Sequence, residues 1–312
     1  MATMSSSDPS DASSNPAKGD SMSAAGGGQQ PVAVSPGLYV VSTPIGNLRD
    51  ITLRALDILS AADEVLAEDT RVAGKLMSAY GIKARLSPYH DHNGAERRPQ
   101  ILSRLADGGR IALISDAGTP LISDPGWKLV HDALEAGHKV YPVPGASALL
   151  AGLVASGLPS DRFMFAGFLP PKSGARKAAL ETLKHVPGTL VFYESGPRLA
   201  ESLADLAAVL GGGRTAAVAR ELTKLFEETR RGTLTSLAEH YQTAGPPRGE
   251  IVILTGPPEE KTSTPGDLDA ALRDALLTMP TKDAATSVAE ALGLPRRDVY
   301  QRALQLKSEN AG

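Results

Sequence analysis

The chain has 312 residues, of which 42% are hydrophobic, a formal net charge of −3 and no cysteine. That is long enough for two domains of about 100–200 residues each. Absent thiols exclude iron–sulfur clusters, thiolate zinc sites and disulfide frameworks, in keeping with a reducing cytoplasm. No apolar run approaches the ~18 residues of a membrane span, so no membrane partner is expected.

Residues 1–36 are rich in Ser, Ala, Gly and Asp and nearly free of large apolar groups. Such a segment buries too little surface to offset ordering entropy and is expected to be a disordered tail. It lacks the basic and apolar regions of a secretory signal. Asp8, Asp11 and Asp20 against Lys18 give it a net charge of −2, leaving −1 for the rest. A near-neutral body carries no global nucleic-acid signal, and any RNA contact must come from local patches.

From residue 38 the pattern alternates strand and helix. A strand over 38–42 leads through the turn Thr43-Pro44-Ile45-Gly46-Asn47 to a helix capped by Asp50, with Ile51, Ala55, Ile58 and Leu59 as its apolar stripe. Strands follow at 64–67, 84–86, 111–115 and 140–143, with helices at 72–80, 99–105, 126–135 and 146–156. Repeated βα units imply a mainly parallel sheet covered on both faces. Gly157-Leu158-Pro159-Ser160 reads as a hinge. Beyond it strands fall at 163–168, 190–193, 216–219, 226–230 and 251–254, with helices at 175–183, 198–210 and 235–241. The strands at 216–219 and 226–230 leave no room for a helix between them, which predicts a hairpin and a mixed sheet. A polar linker over 259–267 precedes three short helices at 268–279, 282–292 and 296–306, the last two spaced like a helix-turn-helix unit. The divisions are therefore 1–36, 37–158, 159–258 and 259–312.

The chemistry-bearing segments sit where strands end. SDAGTPLISDPG over 115–126 follows a buried strand, and PGASA begins at Pro144. Gly118 and Gly145 admit close backbone approach, while Pro120, Pro125 and Pro144 stiffen the loops. Loops at strand C-termini are where open α/β sheets place ligands. The amides of Ala117, Gly118 and Thr119 are expected to face a carboxylate or a ribose. Thr43–Asn47 matches neither nucleotide-binding glycine pattern and reads equally as a phosphate turn or an ordinary βα turn. His90 and His92 flank Asp91, but two histidines without a third ligand make a poor metal site, so no metal is expected. Basic pairs at Arg97-Arg98, Arg176-Lys177, Arg230-Arg231 and Arg296-Arg297 are solvated faces or phosphate contacts.

Taken together, TPIGNL (43–48), AEDTR (67–71), HDHN (90–93), SDAGTPLISDPG, PGASA, GLPSDRF (157–163), FYES (192–195), ARELTK (219–224) and RGE (248–250) resemble the ribosomal RNA small subunit methyltransferase I family of the tetrapyrrole methylase superfamily. The resemblance implies two α/β domains of the tetrapyrrole methylase fold plus a small C-terminal helical domain. It also implies S-adenosylmethionine (SAM) as cofactor, 2'-O-methylation of a decoding-centre cytidine in 16S rRNA of the small ribosomal subunit, a homodimer and a cytoplasmic location. Tetrapyrrole methylases carry Gly-Gly-Asp-Pro where this chain has Ala117-Gly118-Thr119-Pro120, so a hydroxyl replaces an aspartate and the aspartate's role does not transfer.

Carried over by position, Pro44, Ala117, Gly118, Thr119, Ile122, Ser147, Ala148, Tyr193 and Ala219 line the cofactor pocket. A ribose hydroxyl is a weak nucleophile near neutral pH, which calls for a base or a nearby cation. By location the candidates are Asp116 as base and Lys224 as cation, with Glu194 behind it. Asp69 and Arg71 are placed to position the substrate, His90 and His92 to face it, and Arg296 and Arg297 to hold its phosphates. A small-molecule tetrapyrrole methylase and a non-enzymatic RNA-binding protein are the rival readings.

Overall fold

The computed structural model describes residues 34–258 and 265–309. Residues 1–33 of the low-complexity tail and 259–264 of the linker lie outside the described residues. The first sheet comprises β1 (Gly37–Val41), β2 (Glu64–Ala67), β3 (Leu86–Pro88), β4 (Arg110–Ile114) and β5 (Val140–Val143). Its order is β3-β2-β4-β1-β5 and every pairing is parallel. Strand periodicity of two divides its side chains between two cores. Tyr39, Val41, Ala112 and Ile114 pack under α1 (Leu53–Ala61) and α2 (Thr70–Ala79). Leu38, Ile111 and Leu113 pack under α3 (Gly94–Ala106) and α4 (Trp127–Glu135). Every strand of this sheet therefore ends at one edge, and the loops after β1, β2, β4 and β5 open there.

One cap differs from expectation. Asp50 closes a short 3₁₀ turn, Leu48–Asp50, and Thr52 caps α1 by accepting from the Ala55 amide at 3.1 Å. The threonine hydroxyl sits one residue before the first helical turn, where an orphan amide is within reach.

The chain next enters α5 (Ala148–Ser156), then builds the second sheet from β6 (Phe163–Phe168), β7 (Thr189–Ser195), β8 (Thr215–Arg220), β9 (Glu228–Thr233) and β10 (Glu250–Thr255). Its order is β6-β7-β10-β8-β9; β6–β7 is parallel and the other pairings are antiparallel. The expected hairpin is β8–β9. On one face α6 (Ser173–Leu183), α7 (Leu199–Leu210) and α8 (Leu234–Ala244) bury Leu180, Leu203, Leu206 and Leu237 against Leu190, Phe192, Val218 and Ile253.

The other face is covered by α5, whose Leu153 packs with Val191, Ala217, Val252 and Leu254. A small-residue helix is needed here, because a Cβ on Gly152 would lie 3.1 Å from a Val252 methyl. Although the hinge composition falls after α5, the helix already belongs by packing to the second sheet. Gly157, at φ +74°, ends it in the left-handed conformation, and Arg231 Nε donates to the Ser156 carbonyl at 2.9 Å.

Helices α9 (Pro265–Thr278), α10 (Thr281–Leu292) and α11 (Arg296–Glu309) form a bundle around Leu272, Val288, Val299 and Leu306. Gly293 turns α10 into α11 at φ +64°, and Arg302 clasps Asp269 through two bonds of 2.7 and 2.6 Å. Among the described residues no helix is long and apolar enough to cross a membrane.

One buried charge ties the first sheet to α3. Glu64, 1% exposed, accepts from the Ser87 hydroxyl, from Arg104 and from Arg97 at 3.1 Å. Burial pushes its carboxyl up, but the serine and the arginines outweigh that and hold it below the usual range. Glu64→Gln should cost about 1–3 kcal/mol, toward the lower end because the arginines are partly solvated. Denaturant titration at pH 7 measures this. The wild-type advantage should be present above the ordinary carboxylate range and fade as pH falls through the depressed value.

Candidate functional site at the junction of the two sheets

The loops at the C-terminal edge of the first sheet meet the second sheet across a cavity of about 300 Å³. Thr43 and Gly118 lock two of these loops together through a pair of backbone bonds of 2.8 and 3.0 Å. Thr119 joins a third, since its hydroxyl lies 3.1 Å from that of Ser42 and donates to the Ala146 carbonyl at 3.2 Å. Gly145 is required there because a Cβ would come within 2.9 Å of Ser42 Cβ. Gly118 adopts φ +81°, and both its amide and its carbonyl are spent on Thr43. Its contribution is the bend itself, and the expectation that its amide faces a ligand does not hold.

Ala117, Gly118, Thr119, Ile122, Ser147, Ala148 and Tyr193 all line this cavity, as do Asp116, Glu194 and Lys224. The Tyr193 hydroxyl accepts from the Leu149 amide at 3.2 Å, and its ring meets Phe165 and Phe168 edge-on. Ala219 is fully buried in β8, opposite Val252, which takes the lining position. Pro44 faces a neighbouring cavity of about 330 Å³ instead. The two cavities share Ile45, Asp116, Ala117, Lys224 and Glu250 as a common wall.

Lys224 crosses from the second sheet to that wall. Its stem packs so closely on Gly46 that a Cβ there would lie 2.5 Å from Cγ, and the Asn47 amide donates to Thr223 Oγ1 at 3.1 Å. The ammonium donates to Glu221 at 2.9 Å and Glu250 at 3.3 Å. Burial works against its charge, but these two carboxylates prevail and raise its pKa above the ordinary lysine value. Glu194 is not its partner. That buried carboxylate accepts from the Ser195 amide at 2.8 Å and the Ser202 hydroxyl at 2.6 Å, with Arg198 at 3.4 Å.

Carboxylates dominate the rest of the wall. Asp116 accepts from the Asp69 amide at 3.0 Å, which couples the loops after β2 and β4. Asp69 caps α2 and clamps Arg71, whose guanidinium holds its carboxyl down at about 2. Arg71 itself points into solvent, 87% exposed with its charge matched by Asp69. Asp124 is raised to about 6, by burial first and then by the charges of Glu68 and Asp116, against a Ser115 hydroxyl that lowers it. Glu68 is raised by burial and by Asp116 and Asp91. Among the described residues no three His, Cys, Asp or Glu side chains gather so as to hold a metal ion.

Glu68, Asp124, Glu221 and Glu250 line the cavity but were not among the expected site residues. Each lies inside a motif already singled out (AEDTR, SDPG, ARELTK, RGE). Which charge turns inward depends on backbone twist, for Leu121, Ser123, Glu221 and Thr223 all adopt positive φ, from 50° to 73°. Non-glycine residues in this region are strained, and here they fall on the two loops that close the cavity.

The remaining expected residues are dispersed. His90 lines a third cavity beside α4, His92 is exposed outside it, and Arg296 and Arg297 are exposed at the start of α11. Several other basic residues are engaged by carboxylates of the fold. Arg97 pairs with Glu64, Arg98 with Asp132, Arg176 with Asp205, and Arg230 with Glu228.

Comparison with known proteins agrees with this architecture. The profile for Tetrapyrrole (Corrin/Porphyrin) Methylases matches residues 37–238, and that for the RsmI C-terminal HTH domain matches residues 262–307. Ribosomal RNA small subunit methyltransferase I of Mesorhizobium japonicum is 54% identical over 88% of this chain and 93% of its own length. The protein of that name from Erythrobacter litoralis is 54% identical over 88% and 97%. Among solved structures, diphthine synthase superposes with a TM-score of 0.57 at 16% identity, covering 70% of this chain and 89% of its own. Uroporphyrin-III C-methyl transferase from Thermus thermophilus, complexed with S-adenyl homocysteine, does so at 0.50 and 22%, covering 70% and 97%. These two likenesses establish the fold, and the relatives at 54% identity establish that the chain belongs to the ribosomal RNA small subunit methyltransferase I family.

Proposed function

We propose that this methyltransferase uses SAM to methylate the ribose 2'-hydroxyl of a decoding-centre cytidine in 16S rRNA. The observation that carries the reading is the pair of cavities sharing Asp116, Lys224 and Glu250 as one wall. One cavity suits the cofactor and the other admits the ribose, so that donor and acceptor meet at the wall. A target in ribosomal RNA, rather than a tetrapyrrole, is supported by the names of the relatives at 54% identity.

The residues present fit SAM. A volume of about 300 Å³ is at the lower end for a small-molecule site, and its lining is mixed, small and apolar on the side of Ala117, Ala148, Ile122, Phe168 and Tyr193. Ala117, Gly118, Thr119, Ser147 and Ala148 would hold the cofactor from the first sheet, and Tyr193 and the buried Ala219 behind Val252 from the second. Pro44 stiffens the shared loop. When bound, SAM supplies an electrophilic methyl on a sulfonium. The carboxylates of Glu68, Asp116, Asp124, Glu221 and Glu250 outnumber the one lysine in the lining and favour such a cation.

The chain's own residues then manage the hydroxyl proton. Asp124, titrating near 6, lines the cofactor cavity alone, so it reaches the hydroxyl proton through Asp116, whose charge acts on it and which lies in both cavities; mostly ionised at neutral pH, it is basic enough to receive that proton. Asp116, oriented by the Asp69 amide, lies in both cavities and aligns the hydroxyl. Lys224 remains cationic and stabilises developing alkoxide charge. Glu194, committed to Ser195 and Ser202, acts by holding the end of β7. Asp69, Arg71, His90 and His92 border the RNA approach, and Arg296 and Arg297 add phosphate contacts from α11. A homodimer is part of the same proposal, supported by exposed Val154 (80%), Leu225 (89%) and Phe226 (69%). Sedimentation at micromolar concentration tests it.

Ribose-methylation mapping of 16S rRNA from cells with and without the gene should show the loss of one cytidine mark, and an unchanged map sinks the assignment. Asp124→Asn should lower the single-turnover rate by about 10²–10⁴-fold and abolish a rise in rate with pH centred near 6. Because the folded carboxyl binds its proton more tightly than the unfolded one, wild-type stability falls as pH rises from about 4 to 6. The Asn variant should escape that fall, so its melting temperature should overtake that of the wild type toward pH 7. Truncation after Pro258 should weaken RNA binding and leave SAM affinity intact by calorimetry, whereas joint loss would make the bundle a folding element.

A further inference from the structure

The chain's single tryptophan is not in the core. Trp127 opens α4 with 61% of its surface exposed, at the mouth of a separate cavity of about 310 Å³. Tyr89, His90, Arg98 and Lys128 line the same cavity. Lys128 Nζ stands 5.8 Å from the centre of the indole ring, and His131 leans on it at 6.3 Å. His90 Nδ1 is shielded from solvent without a hydrogen-bond partner. The opposing charges are Asp132, bonded to Arg98 Nε at 2.8 Å, and Asp91, exposed in the lining.

This cavity adjoins the methylation site along two paths. Trp127 lies three residues beyond Asp124, a span of about 10 Å at most. His90 lies close enough to Glu68 to count among the groups that influence that carboxylate. An exposed flat ring beside a lysine, with an unpartnered imidazole nitrogen in the recess, is the set of groups that takes a base and its phosphate together. A tryptophan this exposed contributes little to folding, and nothing in the core packing uses it.

We propose that this recess docks a nucleotide of the RNA neighbouring the methylated one, its base stacked on Trp127 and its phosphate against Lys128. The proposal rests on the RNA substrate proposed above. It makes His90, which the chemistry of methyl transfer leaves unused, a hydrogen-bonding partner for the docked nucleotide.

The solitary tryptophan makes the test site-specific. A mixed-sequence single-stranded oligoribonucleotide, titrated into the full chain, should quench its emission saturably and less strongly as salt rises. On small ribosomal subunits Trp127→Ala should raise KM about tenfold with SAM affinity unchanged, and Trp127→Phe should recover much of that loss. Lys128→Ala should reduce the slope of log affinity against log salt by about one. Emission indifferent to saturating RNA, or Trp127→Ala turning over with wild-type KM, overturns the docking site. So does emission that responds to protein concentration alone, which would make the ring a contact between copies. If wild-type protein leaves small subunits unmethylated while the oligoribonucleotide still quenches, the substrate reading fails and the nucleotide recess stands.

Discussion

Everything at the site depends on how closely two sheets approach each other across residues without side chains. Helix α5 leaves the first sheet and lies on the second, and Gly152 lets it settle against Val252. At the other end of the junction Gly46 yields the space that the Lys224 stem occupies. A larger residue at Gly152 would press on the Val252 side chain, and one at Gly46 would displace the Lys224 stem from the shared wall of the two cavities. Close packing leaves little room for such adjustment, so the site's geometry and the seating of α5 are one constraint.

That approach concentrates charge. Six carboxylates and a lysine meet in a partly dry space, where each group's proton affinity is set by its neighbours. Asp124 moves up because burial and like charges penalise its anion, and Lys224 moves up because Glu221 and Glu250 surround its cation. The same carboxylates serve both ends of the proposed chemistry, attracting a cationic donor and receiving a proton. The cost appears as backbone strain at Leu121, Ser123, Glu221 and Thr223, held in place by the bridged loops around them.

Basic residues tell the converse story. Arg97 and Arg176 face inward and satisfy Glu64 and Asp205, and Arg231 reaches from the surface to the carbonyl end of α5. Two local groupings stand out for a polyanion: the Trp127–Lys128 recess beside the cleft and the exposed start of α11. A body near electrical neutrality is consistent with recognition by a few placed contacts in place of a broad positive field.

The order of strands and helices was legible in the chain because burial imposes periodicity. Residues 64–67 and 140–143 are strands in the structure as the pattern predicts, and the crowded interval before β9 announced a hairpin. The small-residue motifs at 117–119 and 147–148 were equally legible as cavity lining, since only a ligand or a close neighbour rewards removing side chains there. Which charges turn inward was not. Asp124 and Glu250 look no different in sequence from Asp116 and Glu194, and how each is held at the cavity was decided by positive-φ turns and by partners 8 to 47 residues away. Sequence alone determined the elements and the motifs, because those depend on local pattern. Only the tertiary structure decided the site, because a proton's affinity and a cavity's wall are properties of groups that the chain brings together from far apart.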